Sequence, residues 1–513
     1  MASIVYVKNP NGKTYAYENI SYWDKELKKT KHKRKCVGHL DDLTGKIVPN
    51  NTKGLKTPSE KNKHSCIVMG NGISLLLDKV AEEIGLLKIL KKVFSKDWQQ
   101  ILTCAYYLVS EGNALCHAEK WLYSNVSPCK TPLTSQRISE LLSRIDRSLQ
   151  NDFFKAWINH NSHDEYFALD ITSVSSYSEF IDFVKHGYNR DGETLPQINM
   201  LMVSGENSHM PLYYQVIPGS IKDVKTLKQT LEQFECMKIG KLRLVMDKGF
   251  YSKDNIDALY DARMKFSIGV PFTVGFACEQ VTKAREEDIM SHENYRMIFD
   301  DEVFVKSRLT KWNGHRLYVH VYFDSLKAEL AYKKFNQLLF ICYKELESGE
   351  TIKSHESYYN KYFVIKETPK RGRKIEYNQS AINDYRQNTN GWFVMITNDI
   401  KDPIKALEIY RRKDTVEKSF DNFKNDLDCK RLRMHSSRTM DGRLFIQFIA
   451  LILCEKIQST MNKAGWFKNY SMQDLINEMK SLREISIVGN RKKYNTVPTA
   501  FQERIAELFN LRI

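Results

Sequence analysis

None of the ten cysteines forms a CxxC pair, and His64-x-Cys66 and Cys116-His117 each lack the second half of a zinc site. Scattered single thiols exclude a zinc ribbon or a disulfide framework, and predict reduced, mostly buried cysteines. Long apolar runs are also missing. The longest, "FIQFIALILC" (445–454), spans ten residues and is closed off by Arg443 and Lys456. A bilayer requires about 20, so this run predicts a buried helix rather than a membrane span. There is no signal-peptide pattern at the N-terminus, no internal repeat and no low-complexity tract. Acidic residues are in deficit, 62 against 78 basic, which leaves a net charge of +16. That surplus favours a polyanionic partner, because each neutralised phosphate releases condensed counterions. With 42 % hydrophobic and 27 % charged residues over 513, the chain has the balance of several folded domains.

Residues 1–66 are Lys-rich and turn-rich, with short alternating stretches such as "SIVYVKN" and a charge run from Lys28 to Lys35. They predict small β elements with a flexible basic arm, which either follows phosphates or is simply solvated. Residues 67–160 read as helices. In the last of them Thr134 or Ser135 is the N-cap, and Ile138, Leu141, Leu142 and Ile145 form the apolar side. Gln136, Arg137 and Arg144 would face DNA if this were a helix-turn-helix; a plain helical bundle is the alternative. From 165 the period switches to that of strands: "EYFALDIT", "QINMLMVS" and "PLYYQVIPG", then a helix, "KLRLVMD", a short helix and "MKFSIGVPF". Three strands, helix, strand, helix, strand is the order of an RNase H-like core, its first part at 161–272. Residues 273–398 break that rhythm with "HRLYVHVYFD", "QLLFICYKEL", "KYFVIKETP" and "GWFVMITND", predicting a β-rich insertion domain. The core resumes at 399–460, and 461–513 reads as C-terminal helices. The fold class expected is therefore α/β, a mixed sheet flanked by helices, interrupted by a β-rich insertion and preceded by a mainly helical region.

Asp170 and Asp247 each end an apolar strand. One carboxylate after a strand is usually a cap or turn residue. Two at the ends of strands that lie side by side can converge, and a third, Glu417, falls on an amphipathic stretch, "IYRRKDTVEKSFDNFKNDLD" (409–428). There Val416, Phe420, Phe423 and Leu427 make a docking stripe. Tyr410, Lys413, Glu417 and Lys424 form a second row, within roughly 60° of one another on an ideal helix. Three carboxylates without His or Cys suit Mg²⁺ or Mn²⁺, and two such ions can activate a water or 3′-hydroxyl against a phosphodiester.

"ALDITS" around Asp170, "VMDKGFYS" around Asp247 and Y-x2-K-x3-E-x6-K (Tyr410, Lys413, Glu417, Lys424) resemble bacterial insertion-sequence DDE transposases. The group is the insertion-sequence-four superfamily, whose third motif reads Y-x2-R-x3-E-x6-K. "LPQINMLMVSGENSHMPLYYQVIPGSIKD" (195–223) and "GWFVMITND" (391–399) resemble further strands of that group, and the likeness spans roughly 160–460. The resemblance implies metal-dependent cleavage at transposon ends and transfer of the freed 3′-hydroxyl into target DNA. Asp170, Asp247 and Glu417 would hold two Mg²⁺ (or Mn²⁺) ions. The implied partners are terminal inverted repeats and target DNA, bound by a homodimer in the synaptic complex, in the bacterial cytoplasm at the nucleoid. Tyr410, Lys413 and Lys424 would contact the DNA. Lysine stands at 413 where the group has arginine, keeping charge but losing the bidentate fork. Arg431, Arg433 and Arg438 in "KRLRMHSSR" would meet phosphates, and "PKRGRK" (369–374) would be either a minor-groove hook or a solvated loop. Some relatives stack a flipped base on a tryptophan, a role that would fall to Trp312 rather than the more core-like Trp392. A nuclease that cuts without joining, and a DNA-binding protein of this fold without catalysis, are the alternative functions.

Overall fold

Alternating and fully apolar strands dominate the order of elements, and their pairing was obtained from a computed structural model. It describes every residue except 1, 9–12, 25–28, 41–46, 50–65, 162–164, 222, 300, 369–371, 387–388, 414–419, 421, 428–429, 435 and 488–491. The chain divides into two units. The first comprises Met1–Val68, Lys130–Pro132 and Ile485–Tyr494; the second holds the remainder.

In the first unit, β1 (Ala2–Lys8), β2 (Thr14–Asp24), β3 (Lys29–Leu40) and β4 (Ile47–Pro49) pair antiparallel in that order. The basic run expected as a flexible arm is, from Lys29 onward, the strand β3; Lys28 lies outside the described residues. This strand pairs with β2 from Asp24↔Lys29 to Tyr17↔Cys36, after which the register shifts by a bulge. Among the described residues of 1–68, Ala16 alone is a buried hydrophobic.

After β5 (Cys66–Gly70), the second unit begins with helices: α1 (Gly72–Glu83), α2 (Leu86–Val93), α3 (Trp98–Glu111), α4 (Ala118–Ser124), α5 (Ser135–Arg144) and α6 (Arg147–Asn161). Thr134 caps α5, its hydroxyl accepting from Arg137 N–H at 3.3 Å, and Ile138, Leu141 and Leu142 are buried as the periodicity predicts. Arg144 turns to Asp97 at 2.8 Å and Gln136 to Glu140 at 3.0 Å. The buried side of α5 packs into the hydrophobic core with the neighbouring helices.

Nine strands then form one sheet, in the order β11-β12-β13-β16-β10-β9-β6-β7-β8. They are β6 (Phe167–Ser175), β7 (Gln197–Gly205), β8 (Pro211–Pro218), β9 (Arg243–Met246), β10 (Lys265–Val270), β11 (Tyr295–Ile298), β12 (Asp301–Trp312), β13 (His315–Phe323) and β16 (Trp392–Thr397). Only β6/β9 and β9/β10 pair in parallel; the other neighbours are antiparallel. Crossovers within this sheet run through α7 (Asp223–Cys236) and α8 (Lys253–Asp261), and α9 (Gly275–Glu286) packs against β13 and β16.

The interval 273–398 departs from expectation. Its strands β11, β12, β13 and β16 extend the main sheet, and much of the rest is helical. "QLLFICYKEL", read as a strand, lies within α10 (Ser325–Ser348). Phe335, Leu339, Cys342 and Leu346 recur at helical spacing and are all buried, and a ten-residue window hid that period. Asp324 caps α10 by accepting from Lys327 N–H at 2.8 Å, and Gly349 stops it at φ 79°. Against α10 pack α11 (Glu356–Tyr362), the hairpin of β14 (Phe363–Thr368) with β15 (Gly372–Tyr377), and α12 (Gln379–Arg386).

Asp402 and Pro403 open α13 (Pro403–Arg412), Asp402 accepting from Ile404 N–H at 3.0 Å. It lies on the sheet over Val245, Met395 and Tyr322 through Ala406, Leu407 and Ile409. The apolar run at 445–454 belongs to the longer helix α14 (Ser437–Lys463). By length and composition it is the one helix among the described residues able to cross a membrane, yet it is mostly buried inside the fold. Gly442 lets it approach α5, since a Cβ there would meet the Leu142 carbonyl oxygen at 2.2 Å. The chain ends with α15 (Met472–Ser481), β17 (Arg483–Ile487), β18 (Lys493–Asn495) and α16 (Ala500–Phe509).

Candidate active site

The parallel ladder between β6 and β9 runs Phe167↔Leu244, Ala168↔Val245, Leu169↔Met246. Asp170 and Asp247 are the next residue on each side. Strand neighbours lie about 4.8 Å apart, and residues in step share a face, so the two carboxylates stand together. Alternation puts Asp247 on the face of Val245, which α13 covers. Asp170 is half-buried, and burial pushes its carboxyl up to about 6. The Ile171 N–H at 2.8 Å, Lys413 and Arg190 oppose that rise, and Asp247 adds to it. Such a pair of acids is costly unless a cation joins it.

Tyr410, near the end of α13, donates its hydroxyl to Asp247 Oδ1 at 2.7 Å. Its ring packs on Phe393, centroids 4.8 Å apart, and the Lys413 ammonium lies over it at 5.6 Å. Gly269 makes room for the hydroxyl: a Cβ there would lie 3.1 Å from Tyr410 Oη. Lys413 caps α13 and is buried.

Helix α13 stops at Arg412, and Asn422–Asp426 make a π-helical turn. Val416 and Glu417 lie outside the described residues. The docking stripe survives in Phe420, Phe423 and Leu427, all buried. Lys424 is buried too, its ammonium on both Asp191 oxygens at 2.8 and 2.7 Å. Arg431 forks onto Glu193 at 2.6 and 2.7 Å, and Glu193 also accepts from the Ser175 hydroxyl at 2.5 Å. Both acids come from the segment 189–193, whose role in seating these cations the sequence did not announce; only its alternating charges, "NRDGE", hinted at it. Arg190 in the same segment bears on Asp170 and was likewise missed.

Arg433 is exposed, whereas Arg438 donates to the Ser143 carbonyl at 3.0 Å. Trp312 is not brought to the aspartates. Its indole N–H is held by Asp257 Oδ1 at 2.6 Å, beside the β12–β13 turn where Asn313 (φ 46°) and Gly314 (φ 84°) reverse the chain. Register places this turn toward the starts of β9 and β10, whereas Asp247 follows the end of β9. Trp392 is buried on Phe323, as its core reading predicts. In "PKRGRK" the first three residues are outside the described ones, and Arg373 and Lys374 belong to β15.

Among the described residues, one His/Cys/Asp/Glu group of three is close enough to hold a metal: Cys342, Glu345 and His355. There Glu345 already accepts from Tyr359 and from His355, the latter at 2.9 Å, which ties the end of α10 to α11.

No curated protein matches the sequence. Among solved structures, the cryo-EM structure of the piggyBac transposase synaptic complex with hairpin DNA is similar at a TM-score of 0.37 and 10 % identity, over 79 % of this chain and 70 % of that one. The transposase DDE domain family matches residues 161–453, more than half of the chain, including Asp170, Asp247 and the position of Glu417. The chain belongs to the transposase DDE domain family.

Proposed function

We propose that this chain is a DNA transposase of the insertion-sequence type, with Asp170, Asp247 and Glu417 as its catalytic carboxylates. The observation that carries the reading is the in-step placement of Asp170 and Asp247 past the β6–β9 ladder, under α13. Hard oxygen donors on two adjacent acids fit Mg²⁺ or Mn²⁺, and Glu417 supplies a third carboxylate from the sequence. Bound there, two divalent ions would supply Lewis-acid activation of the attacking oxygen and charge stabilisation at the leaving one.

The chain's own residues do the rest. Asp170 and Asp247 offer anionic oxygens on a backbone ladder that fixes their separation. Tyr410 occupies one lone pair of Asp247 Oδ1 and so orients that carboxylate. Lys413 adds positive charge beside Asp170, where the phosphates of a bound DNA strand would lie. Arg433, exposed on the segment after the π turn, would meet phosphates farther along. The substrates are the element's terminal repeats and target DNA, held by a homodimer when two ends are synapsed.

The test uses duplexes carrying the inverted repeats that bracket the encoding element, with Mg²⁺ or Mn²⁺. Asp170→Ala, Asp247→Ala and Glu417→Gln should each abolish cleavage while end binding persists. Undiminished cleavage in any one removes that residue from the set. Recovery of joined products separates a transposase from a nuclease that only cuts.

A further inference from the structure

Half of the chain's positive excess lies in its first 68 residues, which hold 14 basic against 6 acidic side chains. Five of those cations, Lys29, Lys31, Lys33, Arg34 and Lys35, fall on β3 with no acid among them. Register shows how they are displayed. Tyr22 is opposite Lys31, Ile20 opposite Lys33 and Glu18 opposite Lys35; on the other side Ile20 meets Ala2, Glu18 meets Ile4 and Ala16 meets Tyr6. Residues directly opposite share a face of the sheet. One face therefore carries Lys31, Lys33 and Lys35 in a row beside Tyr22, Ile20, Ile4 and Tyr6.

The apolar members of that face are 46–54 % exposed, an unusual surface for a sheet that buries so little. In register, Glu18 stands opposite Lys35, Ile20 opposite Lys33 and Tyr22 opposite Lys31. Alternate residues of a strand recur at about 6.8 Å, two phosphate rises along one strand of a duplex. Cations at that pitch with interleaved aromatic side chains match a backbone flanked by sugars and bases. An acidic protein surface would also be drawn to the lysines, but it gives no account of a periodic row edged by tyrosines.

We propose that this face of the β1–β4 sheet is a DNA-backbone binding site, separate in its residues from the acid pair and independent of the phosphoryl-transfer reading. Its contacts are sequence-independent, so it holds DNA without choosing the end.

The experiment uses the full chain and measures affinity for a random-sequence duplex, and for one of its strands alone, across a salt series. Lys31, Lys33 and Lys35→Gln together should flatten the slope of log K against log salt by about 2 to 3 on duplex, or about 2 on single strand. Lys33→Gln alone, which leaves the sheet least disturbed, should flatten it by about 0.7–0.9. A loss on either DNA form supports the site and identifies the form it takes. Lys333, Lys334 and Lys353→Gln, an equal charge loss on exposed residues elsewhere, should leave the slope unchanged. Unchanged slopes on both DNA forms in the folded triple variant overturn the proposal. So does an equal flattening in the Lys333/Lys334/Lys353 control, which would reduce the effect to net charge.

Discussion

Asp170 and Asp247 are held by a different kind of structure from the cations that surround them in sequence and space. Asp170 lies inside β6 and Asp247 directly follows β9, and the parallel ladder that precedes both sets their separation. Lys413, Lys424 and Arg431 sit at a helix end, within a π turn and on an isolated bridge to Ser175, and side-chain partners set their positions. A ladder tolerates changes of side chain; a set of ion pairs does not. The acid pair should therefore keep its geometry when any one neighbour is changed, whereas the cation region should rearrange around each lost partner.

Removing an acid gives the largest expected effect. Asp170→Ala or Asp247→Ala takes away an anionic oxygen that no neighbour replaces, and the several kcal/mol of metal-assisted stabilisation correspond to about 10³-fold or more in cleavage rate. The unfolding transition in denaturant should hold or rise, because two crowded acids become one. A variant that lost stability along with cleavage would contradict a ladder-held site.

Tyr410→Phe comes next. It keeps the ring on Phe393 and under Lys413 but removes the hydroxyl from Asp247. Groups that orient a metal-binding carboxylate typically cost 10–100-fold in metal affinity when lost. A Mn²⁺ binding isotherm on the folded variant should shift by about that factor, with end-DNA affinity unchanged. If DNA affinity fell and the isotherm stayed, Tyr410 would be a DNA contact instead.

These two regions also differ in how far the sequence disclosed them. Strand order around Asp170 and Asp247 was readable because short, mostly apolar runs bounded by turns have few other homes, and β6, β7, β8, β9 and β10 fall where expected. The stripe of Phe420, Phe423 and Leu427 was readable for a similar reason: apolar spacing reports burial. Helical spacing does not report what a charged side chain pairs with: Lys424, within the π turn, lies on Asp191. Long-range ion pairs leave no periodicity, and that hid the 189–193 segment. In 273–398 the period itself was misread, because Phe335, Leu339, Cys342 and Leu346 need a window of more than ten residues to show their spacing.

Asp191→Asn tests the cation side. Lys424 has a 10 % exposed side chain, and its partner is 35 % exposed. Breaking a fully buried pair costs about 3–5 kcal/mol; with Asp191 partly in solvent, about 1–2 is expected. Chemical denaturation measures it, and the Lys424→Met partner in a double-mutant cycle should recover part of the loss. Additive losses would show that the pair is a surface contact, and the contrast with the ladder would weaken.

The smallest effect should follow Trp312→Phe. The change removes one N–H donor, yet Asp257 Oδ1 keeps Asn313 Nδ2 at 2.9 Å, so no carboxylate is stranded. One hydrogen bond to a charged, partly exposed acid is worth about 1.5 kcal/mol at most here, and the smaller ring leaves part of its core contact in place. Cleavage, end binding and any hairpin formation should match the unchanged chain, because register sets this turn toward the starts of β9 and β10 and Asp247 at the opposite end. A stable Trp312→Phe protein with impaired excision would mean that the β12–β13 turn leaves Asp257 when DNA binds. The rigid half of the comparison would then have to exclude that hairpin.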